Sequence, residues 1–146
     1  MEEIIELREK FLNKEFDEKL FEIEPDTTIE FASLCGETSA RFLDRTHPDF
    51  QTPPIYLCSL MGARTIPADF PNIGLGMDAG KGVEMLRSIR PGVTLTGRTH
   101  LHDIYEKTGR SGRMVFLVSR LELYDPNGSH VANSDTRIVM RERSGQ

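Results

Sequence analysis

Few residues in this sequence have the type and spacing for chemistry. Glu37 directly follows Gly36, and a carboxylate at such a helix end could exchange a proton with a ligand. Asp44, His47 and Asp49 fall within one stretch, where an imidazole beside a carboxylate would make an acid/base pair. His100 and His102 are two apart, so on a strand they face one side, as a metal pair would. Lys107, Arg110 and Arg113 are close enough to hold phosphate groups. Each group has a plainer reading. His47 precedes Pro48 and reads as an ordinary loop histidine. The two strand histidines lack an acidic or cysteine partner at a recognisable spacing, so they read as solvent-facing and no metal is expected. The basic trio reads equally as a solvated hairpin tip.

The two cysteines, Cys35 and Cys58, are 23 positions apart and form neither a metal pattern nor a disulfide framework. Their apolar neighbours Leu34, Leu57 and Leu60 suggest reduced core residues. Gly74, Gly76, Gly80 and Gly82 lack the strand–turn–helix setting of a dinucleotide loop, so residues 65–82 read as a flexible loop.

Elements must position these residues. The 146 residues suffice for one domain with a real core. Net charge is −5, and the acids concentrate before Pro25, which argues against a nucleic-acid footprint. Residues 1–12 are rich in acids and not built as a signal peptide, and no run approaches ~20 apolar residues. The expectation is a cytoplasmic protein that does not span a membrane.

Residues 2–13 place Ile4, Leu7 and Phe11 on a helical repeat, an amphipathic extension of the single domain 1–146. Phe21 to Glu24 alternates as a strand and stops at Pro25. Thr27 and Glu30 fit a capping box for a helix from Thr28 to Cys35, with Gly36 as its stop. Residues 37–54 read as a long loop, and residues 55–63 as a short helix. From Val83 the period changes to two, through Val93–Leu101, Met114–Leu123 and Val131–Met140. Turns fall at Pro91-Gly92, at Gly109 to Gly112 and at Asn127-Gly128. The pattern is an α+β domain with a long antiparallel sheet.

The order Arg90-Pro91-Gly92-x-Thr94-Leu95, then Asp103-x-Tyr105-Glu106-Lys107-x-Gly109-Arg110-Ser111-Gly112, resembles the MaoC-like (R)-specific enoyl-CoA hydratases and dehydratases. The likeness is to their N-terminal, FAS1-like dehydratase domain and covers most of residues 15–142. It implies a single hot-dog domain, a sheet wrapped around a central helix. In that family a helix ends in a Gly-Asp-x-Asn-Pro-x-His motif, whose Asp and His add or remove water across the double bond of an acyl thioester. Here the matching run is Gly36-Glu37-Thr38-Ser39-Ala40-Arg41-Phe42. Gly36 matches, Glu37 is one methylene longer than the Asp, and Phe42 replaces the His and cannot exchange a proton.

The resemblance therefore implies the half of a double hot dog that has lost its catalytic pair. Such a half would bind acyl-CoA jointly with a homologous, dyad-bearing partner, or with a second copy, across an open sheet edge. The acyl tail would run beside Ile55, Tyr56, Leu57 and Leu60, and Lys107 and Arg110 would meet the polar end of coenzyme A. No cofactor is implied. Two alternatives stay open. One is a self-sufficient homodimeric hydratase or thioesterase using Glu37, or Asp44 with His47. The other is a non-enzymatic acyl-thioester binding module.

Overall fold

The computed structural model describes residues 2–110 and 112–142. Ser111, in the expected hairpin turn, lies outside them. Helix α1 (Glu2–Phe11) turns Ile4, Leu7 and Phe11 inward as one buried stripe. Asn13 follows at φ 58°, a left-handed position that Asn tolerates, and its N–H donates to the Leu101 carbonyl at 2.8 Å. This reverses the chain into strand β1 (Glu15–Glu22).

Helix α2 runs Pro25–Leu34. The expected capping box does not form. Pro25, with φ already fixed for helix, starts the first turn, so Glu24 is the N-cap and makes no side-chain capping bond. Thr28 is left to bond the Pro25 carbonyl at 2.9 Å. The C-terminal stop is as expected. Gly36 takes φ +85°, its N–H bonds the Ser33 carbonyl, and the Glu37 N–H bonds the Ala32 carbonyl, both at 3.0 Å. That pair of bonds is a Schellman closure, and it needs the left-handed residue that glycine supplies. Helix α3 is four residues, Ala40–Leu43, and a 3-10 helix spans Pro54–Ser59.

Strands β2 (Leu75–Met85), β3 (Thr94–Gly109), β4 (Gly112–Tyr124) and β5 (His130–Arg141) complete one antiparallel sheet in the order β1-β3-β4-β5-β2. Here the expected flexible loop over 65–82 is corrected. Gly76, Gly80 and Gly82 belong to β2, paired along β5 with a bulge between Asp78 and Gly80. A Cβ on Gly82 would lie 3.1 Å from the Arg137 guanidinium, so glycine here admits a neighbouring side chain rather than flexibility.

The sheet curls, and two apolar clusters fill its concave face. At one end Tyr56 and Leu57 of the 3-10 helix pack on Phe21, Ile23, Leu95, Leu121, Leu123 and Val131. At the other, α1 packs on Leu101, Ile104, Val115, Leu117 and Met140. The helical material against the sheet is thus short, the ten-residue helices α1 and α2 and a 3-10 turn. No helix among the described residues is long and apolar enough to cross a membrane.

Candidate functional site

The segment Gly36–Phe42 leaves α2 and enters α3, so the geometry of its side chains follows from the α2 stop. Glu37 is half-buried, and among the described residues its carboxylate has no hydrogen bond or ion pair. Phe42 is buried at 7% exposure, with the Arg41 guanidinium 4.9 Å from its ring centre. A phenyl ring has no proton to exchange and cannot do an imidazole's work. The nearby alternative is not assembled either. Asp44 turns its carboxylate onto the Thr46 N–H and hydroxyl, at 2.9 and 2.7 Å, and these bonds lower its pKa. His47 uses Nδ1 to accept the Asp49 N–H at 3.0 Å. Asp44 Oδ1 and His47 Nδ1 thus each close a local turn, and no hydrogen bond joins the two side chains among the described residues.

Of the four expected tunnel residues, Tyr56 and Leu57 are buried, Leu60 is half-buried and Ile55 is exposed. Tyr56 meets Phe31 edge-on at 5.3 Å, and burial raises its pKa. The Leu57 carbonyl accepts the Ser134 hydroxyl at 3.0 Å. The segment is first of all core, with Leu60 at its margin.

The basic trio is split. Arg113 is half-buried and paired with Glu106 at 2.7 Å and with Glu3 at 2.9 Å. The Glu106 carboxyl is held below its ordinary range by that Arg113 bond. Lys107 lies 5.7 Å from the Phe116 ring and 5.8 Å from Tyr105, which stack on each other at 5.0 Å. Arg110 is exposed at the turn. Lys107 and Arg110 therefore remain the accessible cations, without Arg113.

Cys35 corrects the core expectation: it is the C-cap of α2 and exposed, while Cys58 is half-buried, and both are free thiols. A helix end facing solvent carries its cap residue outward whatever its neighbours are.

Two recesses were not anticipated. On the convex face, His100 and His102 do share a side, with Nε2 and Nδ1 3.2 Å apart. His100 is largely covered, and its Nδ1 lies 3.2 Å from Glu122. Tyr124 donates to the same carboxylate at 3.1 Å. Burial lowers the His100 pKa, with Glu122 opposing. The recess measures about 430 Å³. Among the described residues no group of three or more His, Cys, Asp or Glu is placed to hold a metal ion.

On the concave face, a groove of about 400 Å³ opens beside β2, lined by Met61, Met77, Asp78, Lys81, Thr136 and Ile138. Its outer wall is pinned across the curl of the sheet. Lys19 of β1 donates to the Met61 carbonyl at 3.2 Å, and Asp17 accepts the Ala63 N–H at 2.9 Å. The alternation of Val83 and Met85 carried two residues back would have turned Lys81 inward. Reading 65–82 as loop hid it.

With this geometry in place, comparison with known proteins is informative. A family profile described as the FAS1-like, dehydratase domain region matches residues 10–134. No curated protein matches the sequence significantly. Among solved structures, a MaoC-like dehydratase from Phytophthora capsici aligns at 23% identity and TM-score 0.68, over 94% of this chain and 50% of that one. The chain thus spans half the length of that relative. The ChsH1-ChsH2 complex from Mycobacterium tuberculosis gives 18% identity and TM-score 0.68, over 99% and 92%. A MaoC-like dehydratase from Rhodospirillum rubrum gives 17% and 0.66, over 94% and 97%. These likenesses establish the fold, a hot dog.

Proposed function

The chain belongs to the FAS1-like dehydratase domain family, within the hydratase and dehydratase hot dogs, and from that membership we propose that it is a non-catalytic, acyl-thioester-binding half. Its partner would be a homologous hot dog that carries the acid/base pair. The observation that carries this reading is Phe42, an apolar ring buried beneath Arg41 where the motif places a proton-transferring imidazole. Water addition across a 2,3 double bond needs two groups within hydrogen-bond reach of one face of the substrate. Glu37 alone supplies one carboxylate, and Asp44 and His47 each bond a local turn rather than each other. The Phytophthora capsici dehydratase is twice this length, and the Mycobacterium tuberculosis chain that this one matches over 92% of its length belongs to a two-component complex; the length of the one and the company of the other fit a domain that works with another.

In this reading the chain binds and positions, and the partner moves the protons. The acyl group lies in the concave groove against Met61, Met77 and Ile138. Lys107 and Arg110 face the anionic end of coenzyme A. The partner docks along β2, an edge strand of 11 residues with Leu75 and Met77 exposed at 52% and 42%. An open edge of this length invites pairing.

The test is the oligomeric state. Light scattering at micromolar concentration should give a dimer, or a stoichiometric complex with a hot-dog protein that co-purifies. Leu75→Asp combined with Met77→Lys should return the chain to a monomer. A wild-type chain that stays monomeric and recovers no hot-dog partner would count against the reading. One observation favours the self-sufficient alternative: Glu37 keeps a carboxylate with no partner among the described residues. If the chain alone turns over and Glu37→Gln abolishes it, that alternative replaces ours.

A further inference from the structure

The concave face of this sheet is not apolar throughout. Between its two apolar clusters runs a belt of small and polar residues. Ser119 of β4 pairs with Thr136 of β5, and Thr136 pairs with Lys81 of β2. In the adjacent row Ser134 stands opposite Val83. Thr99 and Ser119 are 3% and 2% exposed, so this belt is interior. Among the described residues the Thr99 hydroxyl has no hydrogen-bond partner.

Lys81 is the unusual member. By the alternation of β2 it occupies the inward position after Met85 and Val83, both packed on the core. An apolar side chain is what that position ordinarily takes. Its ammonium donates to the Thr136 hydroxyl at 2.8 Å and lies 3.8 Å from the Met61 sulfur. It makes no ion pair among the described residues. The rest of the groove mixes apolar Met61, Met77 and Ile138 with Thr65, Thr136 and the carboxylate of Asp78. A half-buried ammonium whose direct contacts are all neutral is costly to keep, and a charge at an inward strand position marks a working position.

Resting on the acyl-thioester reading above, we propose that Lys81 binds a carboxylate carried by the acyl group, so that the ligand is a short acyl thioester with a carboxyl-bearing tail. The charge count favours a carboxylate over a phosphate. Asp78 lines the same groove, its carboxylate oriented by the Gly80 N–H at 2.9 Å. Lys81 and Asp78 together leave the groove without net charge, so each added negative charge meets repulsion from Asp78, and a singly charged carboxylate meets less of it than a diphosphate. The hydroxyl of Thr136, which accepts a hydrogen bond from Lys81, retains its own proton to donate to the same ligand oxygen. Ile138 of the groove lining packs, with Ile66, Phe70 and Ile73, against the cluster that α1 builds, so a short tail is proposed.

The experiment uses the full chain in the assembly it forms in solution. Calorimetry compares succinyl-CoA with butyryl-CoA, which match in length and differ in the terminal group. The wild type should bind succinyl-CoA at least about tenfold more tightly, the worth of one hydrogen bond to a charged group. Lys81→Met should remove that preference and leave butyryl-CoA within about twofold of wild type. Lys81→Arg should retain it, which guards against a general loss of fold. Equal binding of the two esters by the wild type overturns the proposal and leaves the acyl-thioester reading standing. So does an equal loss for both esters in Lys81→Met, which would place a coenzyme phosphate at Lys81. Failure of both esters to bind the wild type overturns the underlying reading, and this proposal with it.

Discussion

Gly97 offers the sharpest test of how the sheet curls over its core. It lies on β3 opposite Lys19 of β1 and Leu123 of β4, facing the concavity. A Cβ built there would sit 2.5 Å from Cε2 of Phe21 and 2.8 Å from Cδ1 of Leu121. Both neighbours belong to one apolar cluster, Phe21 at 7% exposure and Leu121 at 4%, so neither ring nor methyl has free space to enter. Gly97→Ala therefore forces a repacking of two core side chains. Overpacking of this kind costs roughly 1–3 kcal/mol. A domain of this size loses about 4 °C of melting temperature per kcal/mol, so the expected drop is about 4–12 °C. Gly109→Ala is the control, because nothing lies within 4 Å of its Cβ position. Thermal melts at equal protein concentration decide the matter, since assembly would make melting concentration-dependent. A Gly97→Ala protein that melts within about 1 °C of wild type would refute the close approach of Phe21. A Gly109→Ala drop of equal size would refute the assignment of cost to the core.

Other outcomes are expected. His100 has its pKa lowered by burial, so the unfolded chain takes up a proton near pH 6.5 while the folded chain resists it. The His100 contribution is then fully present above that pH and is lost as the pH falls through 6.5 toward the lowered value. His100→Gln should flatten the decline in melting temperature between pH 7 and 5, with Glu122, His102, Arg120 and Asp135 left facing it. An identical slope in both proteins would contradict this. Arg120 and Asp135 form a two-bond pair at 2.8 and 3.0 Å, with side chains 24% and 13% exposed. Asp135→Ala should cost about 2–3 kcal/mol in urea denaturation, below the ~3–5 of a fully buried pair, and a cost under ~0.5 would mean that solvent screens the pair. In the folded protein, Cys35 should react with a thiol reagent well before Cys58, and equal rates would contradict the exposed α2 cap.

Much of the fold was legible because period and turn chemistry survive in the sequence. The alternation after Val93 led to β3, β4 and β5, and Gly36 marked the α2 stop. Strand β2 was hidden up to Val83, where the two-residue period begins. An edge strand buries little, and its glycines, placed beside Arg137 and at a bulge, imitate a loop. The true start of α2 was masked by two competing signals, a capping box at Thr27 and a proline at the first turn, and the proline prevailed. The motif position of Phe42 could be read directly, residue against residue. Lys81 could not, since its meaning depends on the register of a strand the sequence disguised. The same holds for Glu122, whose link to His100 crosses from β4 to β3.

The central claim, that this chain binds but does not itself perform the hydration, is tested most directly by turnover on crotonyl-CoA. The purified chain alone should fall well below the ordinary enzyme range of ~1 s⁻¹ and above, and its activity should appear only when a dyad-bearing hot dog is added. Turnover above ~1 s⁻¹ by the chain alone would contradict the account.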